Sequence, residues 1–194
     1  SAAIRPTPAA TSNLGVQYFA RGQYANAARS FEQAVLLTPN DRRLWRNLGA
    51  ALHWAPNERD KARAAYERAV QLGEQERRVN PRQPALQAEL ADSYSMLGHR
   101  AQALEAAAAV ERLGGGDASA MFQVAGAYEQ LGERALALQW LLASAPAFLA
   151  LPPDAPGGLP LRQAAVRGVS GTWRALLDVL RNELGYNVTS KVIN

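Results

Sequence analysis

The sequence predicts an all-α protein in which four helix pairs follow one another and a further helix closes the C-terminal end. The first observation is a set of small and bulky apolar residues at helical spacing between residues 14 and 39. The second is the return of this set three times, led by Leu14, Leu48, Leu90 and Val124, at steps of 34, 42 and 34 residues. A period near 34 with two amphipathic helices per period is typical of a helical repeat array.

The first ten residues are expected to form a flexible lead-in. Pro6 and Pro8 lie there among alanine and threonine, and proline lacks a backbone donor and disfavours helix in the residue before it. We therefore expect Thr11 or Ser12 to cap the first helix. The helix pair that follows turns near Gly22 and ends at Pro39.

The residues of this first pair resemble the tetratricopeptide repeat (TPR). Gly15 and Ala27 are small where the two helices would cross, and Tyr18 and Phe31 are large enough to fill the space beside the crossing. The resemblance implies a right-handed superhelical array over residues 11–150, with repeats at about 8–41, 42–83, 84–117 and 118–150. The full set of matching positions is Leu14, Gly15, Tyr18, Gly22, Tyr24, Ala27, Phe31, Ala34 and Pro39.

The second repeat has two irregular features. Its turn at residues 55–58 is one residue longer than the others, and twelve residues separate Ala69 from Pro81 where five separate Ala34 from Pro39. The seven extra residues correspond to about two helical turns. We predict a long helix over 60–79 whose last residues, 74–78, project beyond the array as a solvated extension or a contact surface.

The third and fourth repeats end differently from the first. Glycines at 114–116 stand where a proline is usual, and glycine accepts the left-handed conformation that ends a helix. The second helix of the fourth repeat is expected to end before Pro146. Residues 151–169 are rich in proline and glycine and are predicted to be a linker.

A last amphipathic helix is predicted over residues 170–185. Trp173, Leu176, Leu177, Leu180 and Leu184 would lie on one face, and repeat arrays need such a helix to cover their final apolar face. Docking of this helix on a partner is the alternative. No structure is assigned to the tail, residues 186–194.

The residue content argues against catalysis and metal binding. The chain has no cysteine and two histidines, and it lacks a nucleophile elbow, a phosphate-binding glycine loop and a zinc-binding histidine pair. We expect no enzymatic activity and no cofactor.

The charge and hydropathy leave the compartment open. The formal net charge is +4, and the arginines are interspersed with acidic residues, so nucleic-acid binding is not favoured. No apolar run approaches the ~20 residues that span a bilayer. The chain begins at Ser1 without methionine, and we expect a processed piece of a soluble protein of the cytoplasm or periplasm.

The resemblance also implies a binding surface, because the first helices of TPR repeats line a concave groove that holds peptides. Asn13 and Asn47 match positions that hydrogen-bond a ligand backbone, and Trp54 is the predicted apolar anchor. Charge is expected to be graded along the groove, from arginine to acid. The predicted groove residues are Asn13, Val16, Arg43, Arg46, Asn47, His53, Trp54, Glu89, Asp92, Met96 and Gln123.

One TPR subfamily grips the C-terminal carboxylate of chaperone tails with a Lys-Asn-Asn-Lys-Arg set. The corresponding residues here are Ser12, Val16, Asn47, Ala85 and Glu89. Only Asn47 agrees, so the sequence does not support that activity.

The sequence therefore predicts a non-catalytic scaffold that binds a protein or peptide in the concave groove. It resembles TPR regions of bacterial signalling or envelope-assembly proteins. An assembly module that forms a homo-oligomer through the C-terminal helix or the array edges is the alternative. Weak RNA binding through the arginines is the third hypothesis.

Overall fold

The computed structural model describes residues 7–150, and this part of the chain is all-helical. The predicted linker at 151–169, the capping helix at 170–185 and the tail at 186–194 lie outside the described residues. The eight helices within this range are α1 Pro8–Ala20, α2 Tyr24–Leu37, α3 Arg42–Trp54, α4 Arg59–Val79, α5 Pro84–Met96, α6 Arg100–Arg112, α7 Ala118–Gln130 and α8 Arg134–Ala150.

The first helix begins earlier than the sequence predicted. Thr7, and neither Thr11 nor Ser12, caps α1, since the N–H of Ala10 donates to Thr7 Oγ1 at 3.2 Å. Pro8 occupies the first helical position, where its missing N–H would have no intrahelical partner and its fixed φ already suits the helix. The expectation of a lead-in extending to residue 10 was therefore wrong for Pro8 and the two residues after it.

Each odd-numbered helix packs on the even-numbered helix that follows it, which gives four helix hairpins. In the first hairpin Gly15 faces the ring of Phe31, and in the second Gly49 faces the ring of Tyr66. A Cβ added to Gly15 would lie 2.8 Å from the Phe31 ring. In both hairpins the two helices therefore cross closely at these glycines, as expected from the sequence.

The turn of the second hairpin replaces glycine by asparagine. Gly22, Gly98 and Gly132 take positive φ in the other three hairpins, and Asn57 does so here, with φ 60°. Asparagine tolerates the left-handed conformation better than other residues with a side chain. The extra residue in this turn is thereby accommodated without a glycine.

Neighbouring hairpins are joined by a repeated hydrogen bond as well as by apolar packing. The indole Nε1–H of Trp45 donates to the carbonyl of Pro39 at 2.8 Å, and the amide of Gln87 donates to the carbonyl of Pro81 at 3.0 Å. The two donors occupy equivalent repeat positions, six residues after equivalent prolines. This contact fixes the start of one hairpin against the end of the previous one.

The apolar interior consists of two main clusters. One joins α1 to α4 around Phe31, Leu48 and Leu52. The other joins α5 to α8 around Leu86, Leu90 and Val110 and receives Val70 of α4. The long helix α4 therefore contributes to both halves of the described array.

The long helix was predicted, but its last turns do not project. Glu74 accepts a hydrogen bond from the hydroxyl of Tyr94 at 2.7 Å, and Glu76 pairs with Arg42 at 2.7 Å. Both carboxylates bind residues that are 20 and 34 positions away in the chain. The last two turns are therefore attached to α3 and α5, and the predicted projection was wrong.

Helix α8 also differs from the expectation, because it continues through Pro146 to Ala150. A proline inside a helix removes one backbone hydrogen bond. The residues on either side are mainly alanine and leucine, which favour helix strongly.

Candidate functional site

An open cleft lies between the N-terminal halves of α1 and α3. The loop between α2 and α3 closes one end, and the cleft has a volume of about 370 Å³. Its walls combine apolar surface with hydroxyl, carboxylate, guanidinium and amide groups. The lining residues are Pro8, Ala9, Ser12, Thr38, Asp41, Arg43, Leu44 and Asn47.

Asp41 organises the charged side of this cleft. Its carboxylate caps α3 by accepting the N–H of Arg43 at 2.9 Å, and it also accepts Nε and Nη2 of the same residue at 3.3 and 3.2 Å. Burial opposes ionisation of Asp41, but the hydrogen bonds from Arg43 outweigh it and lower the pKa of the carboxyl. Arg43 is consequently held in one orientation while its side chain remains 63% exposed.

Asn47 supplies the amide of the cleft. Its Oδ1 accepts from Nη2 of Arg46 at 3.2 Å, and within the described residues no hydrogen bond uses its Nδ2 donors. Asn13 on α1 is exposed, whereas Val16 is half-buried and packs against the apolar cluster of α1–α4. Of the two asparagines predicted to hold a ligand backbone, only Asn47 lines the cleft.

The predicted gradation of charge along the groove is replaced by direct pairing between α3, α4 and α5. Arg42 contacts Glu76 at 2.7 Å and Glu89 at 3.1 Å. Burial raises the pKa of Asp92, and the nearby cation of Arg46 opposes that rise. The acids and the arginines therefore face one another instead of separating along the array.

This pairing limits what the central groove can offer a partner. The side chain of Glu89 is 12% exposed and that of Arg42 is 15% exposed. Further along the groove Met96 and Gln123 are half-buried, and Gln123 Oε1 is buried without a hydrogen-bond partner in the described structure. The Arg42–Glu89 pair holds helices together and is not a free recognition element.

The two aromatic residues predicted for the groove lie at the other end of α3. The ring centroid of Trp54 is 6.1 Å from that of Tyr24 and 5.3 Å from that of His53. Arg43 and Trp54 stand near opposite ends of this helix, which corresponds to a separation of about 16 Å along its axis. The structure therefore brings Arg43 and Asn47 together in the cleft and places His53 and Trp54 elsewhere.

Several residues at these places were not anticipated from the sequence. The sequence-based prediction places Pro8 and Ala9 in the lead-in, although a threonine followed by proline is itself a helix-start signal. Arg42 and Tyr24 were not predicted as site residues, and no local pattern distinguishes Arg42 from the arginine beside it. Its role depends on Glu76 and Glu89, which only the fold brings near.

Neither a metal centre nor a membrane span is found in the described part of the chain. Between residues 7 and 150 no three His, Asp or Glu side chains are grouped so that they could hold a metal ion. Over the same range no helix combines the length and the apolar character needed to cross a bilayer.

Comparison with known proteins agrees with the helical repeat. A family profile described as a TPR repeat matches residues 15–53. A comparison with curated proteins finds no match.

Solved structures with similar folds include a TPR protein. This thermophilic TPR protein of Thermus thermophilus, TTC0263, is 23% identical over 82% of this chain and 80% of its own, with a TM-score of 0.50. MamA is 23% identical over 72% of this chain and 77% of its own, with a TM-score of 0.42. Another MamA structure covers 94% of this chain and 96% of its own at 14% identity and a TM-score of 0.43. The TPR profile thus matches residues 15–53, and the likeness to TTC0263 agrees with the all-helical fold of the described residues.

Proposed function

We propose that this protein is a non-catalytic scaffold that binds an extended segment of a partner protein in the cleft between α1 and α3. The TPR architecture is that of a protein–protein interaction scaffold. The observation that carries the proposal is the cleft of about 370 Å³ with Arg43 and Asn47 on its wall. This volume lies within the range of about 300–1,000 Å³ that is usual for ligand sites.

The lining residues indicate how a peptide would be held. Pro8, Ala9 and Leu44 offer apolar contact for one side chain. The Nδ2 donors of Asn47 would bind a peptide carbonyl without reading the side chain. Arg43 would bind a carboxylate through Nη1, since its bonds to Asp41 use Nε and Nη2. The favoured ligand is an extended segment with an apolar residue close to an acidic one.

Selection from a random peptide library tests this proposal. Peptides enriched on the wild type should lose about tenfold in affinity on Asn47→Ala, because about 1–2 kcal/mol of hydrogen bonding is removed. Gln33→Ala is the matched control, since Gln33 is an exposed amide on α2 that does not line the cleft. Enriched peptides that bind the wild type and Asn47→Ala equally would refute the cleft as the binding site.

An assembly role is the second candidate, and one observation favours it. The side chains equivalent to Leu14 in the later repeats are buried, with 5% exposure at Leu48, 2% at Leu90 and none at Val124, whereas Leu14 is 44% exposed. The surface of α1 thus leaves bare a residue that every later repeat covers. If copies associate there, Leu14→Gln should lower the sedimentation coefficient, and Leu36→Gln, at another exposed leucine, should not. Equal sedimentation of wild type and Leu14→Gln would end this alternative.

A further inference from the structure

Four aromatic rings form a continuous cluster at the edge of the array opposite the cleft, and we call it the aromatic edge. The ring centroids of Phe19 and Tyr24 are 5.2 Å apart in an edge-on arrangement. Those of Tyr24 and Trp54 are 6.1 Å apart, and those of Trp54 and His53 are 5.3 Å apart. The residues come from the end of α1, the start of α2 and the end of α3. Two hairpins therefore contribute to one surface.

Packing of the protein's interior accounts for Phe19, which lies against the apolar cluster of α1–α4, but not for Trp54. Trp54 is 44% exposed and belongs to neither of the two main apolar clusters of the described residues. Tyr24 and His53 are half-buried beside it and hold the indole in place. Large aromatic side chains that are fixed by their neighbours and open to solvent are the usual anchors of protein interfaces.

Unpaired positive charge accompanies this surface. Arg59 at the start of α4 is close enough to His53 to act with burial in lowering the pKa of that imidazole. Arg21 lies in the turn between Phe19 and Tyr24. Neither Arg21 nor Arg59 has an ion-pair partner among the described residues.

The acidic side chains nearby do not neutralise the charges of both Arg21 and Arg59. Glu58 is bound by Lys61 at 2.8 Å. Asp60 follows Arg59 in α4, but successive helical residues point about 100° apart. The aromatic edge therefore combines an apolar platform with cations that are available to a ligand.

We propose that the aromatic edge is a second docking surface, which takes an acidic peptide segment carrying one aromatic or large aliphatic side chain. The apolar side chain would pack on Trp54, and flanking carboxylates would pair with Arg21 and Arg59. A nucleic-acid strand fits less well, because it needs cations along the whole track of its phosphates. The next arginine on the exposed face of α4, Arg63, is already paired with Glu67 at 3.0 Å.

The two surfaces can be tested separately because they lie at opposite ends of the same helices. The cleft uses Ser12 and Asn47, whereas the edge uses Phe19 and Trp54. About seven residues separate the two surfaces along each helix, which corresponds to about 10 Å. A peptide on the edge does not need the cleft, so this inference stands independently of the function proposed above.

The test is an NMR titration of the full chain with a short synthetic peptide that has a central phenylalanine flanked on both sides by Asp-Glu. The indole N–H of Trp54, assigned by its loss in Trp54→Phe, reports on the edge. We expect it to shift saturably. Binding, followed in the variants through the backbone amide of Ala55 because Trp54→Ala lacks the reporter indole, should weaken at least tenfold in Trp54→Ala. It should weaken about threefold in Arg59→Gln, the loss expected for one exposed charge pair.

Matched variants and probes decide the outcome. Arg78→Gln removes another exposed arginine of α4, one without an ion-pair partner among the described residues, and should leave the affinity unchanged. Replacing the peptide's acids by lysine, or its phenylalanine by serine, should abolish the shift. No shift of the Trp54 indole, equal weakening by Arg59→Gln and Arg78→Gln, or tighter binding of oligouridylate would overturn the proposal. Circular dichroism of each variant keeps loss of folding apart from loss of binding.

Discussion

Replacing Gly15 by alanine should destabilise the protein, although alanine is the better helix former. An added Cβ would lie 2.8–2.9 Å from three atoms of the Phe31 ring, whereas carbon atoms in contact normally stay about 3.5–4.0 Å apart. Phe31 is 2% exposed and has little room to withdraw. The close approach belongs to the crossing of α1 and α2.

The magnitude follows from two opposing effects. Glycine to alanine in a helix gains about 1 kcal/mol of propensity, and overpacking a core costs about 1–3 kcal/mol. Gly15→Ala should therefore lower the free energy of unfolding by about 1 kcal/mol. Gly126 is the matched control, because it is helical and an added Cβ there would meet nothing within 4 Å. Gly126→Ala should raise stability by about 1 kcal/mol.

Thermal and urea denaturation of both variants measure the difference. About 2 kcal/mol between them corresponds to a separation in Tm of about 4–8 °C for a chain of this size. Shortening the opposing ring in Gly15→Ala/Phe31→Leu should recover part of the loss. If Gly15→Ala is as stable as Gly126→Ala, the two helices do not cross closely at this glycine and the reasoning is refuted.

Three further substitutions or conditions test other parts of the structure. Arg42→Ala leaves the nearly buried carboxylate of Glu89 unpaired and should lower the free energy of unfolding, measured in urea, by about 3 kcal/mol. The double variant Arg42→Met/Glu89→Leu should recover most of this loss. Gly116 has φ 72°, and an added Cβ would lie only 2.8 Å from the proline that begins α5. Gly116→Ala should therefore lower the free energy of unfolding by about 2 kcal/mol in the same assay. Gly114→Ala, where an added Cβ meets open space, should lower it less. Burial and a neighbouring arginine lower the pKa of His53 below its ordinary 6.5; the unfolded chain then binds the proton more readily, so unfolding free energy should fall below about pH 6.5 and fall less in His53→Gln.

Each of these expectations has a definite contrary result. Equal stability of the Arg42→Ala protein and the wild type would mean that the ion pairs between α3, α4 and α5 contribute nothing. Identical losses in Gly116→Ala and Gly114→Ala would remove the contact with α5 from the explanation. A pH profile of stability that His53→Gln does not change would place the imidazole in an ordinary aqueous environment.

The features that could be predicted from the sequence are those determined within one hairpin. The pairing of Gly15 with Phe31 depends on spacing inside a repeat, and the length of α4 follows from the distance between Ala69 and Pro81. Such patterns repeat along the chain, so each repeat supports the interpretation of the others.

The features that could not be predicted depend on partners that are distant in the sequence. The end of α4 does not project because Arg42 of the same hairpin binds Glu76 and Tyr94 of the next hairpin binds Glu74. The pairing of opposite charges along the groove could not be predicted for the same reason, because residue type alone does not show which side chains meet.

The direction of a side chain at a helix end is equally hard to foresee. Trp54 was assigned to the groove by its repeat position, but it is the last residue of α3 and lies against Tyr24 of the first hairpin. Its surroundings are completed by a neighbouring hairpin. Repeat position is thus a good guide to the middle of a helix and a poor one to its last residue.

The side-chain amide resonance of Asn47 offers the most direct test of the proposed peptide site. A peptide selected on the wild type would be titrated against the labelled full chain, and the Nδ2 resonances of Asn47 and of Asn57, in the turn at the far end of α3, would be followed together. The account predicts that the chemical shift of the Asn47 side-chain amide changes and saturates at the same peptide concentration as the bound fraction, while that of Asn57 does not change. An unmoved Asn47 amide under a saturating peptide would contradict the assignment of the cleft as the binding site.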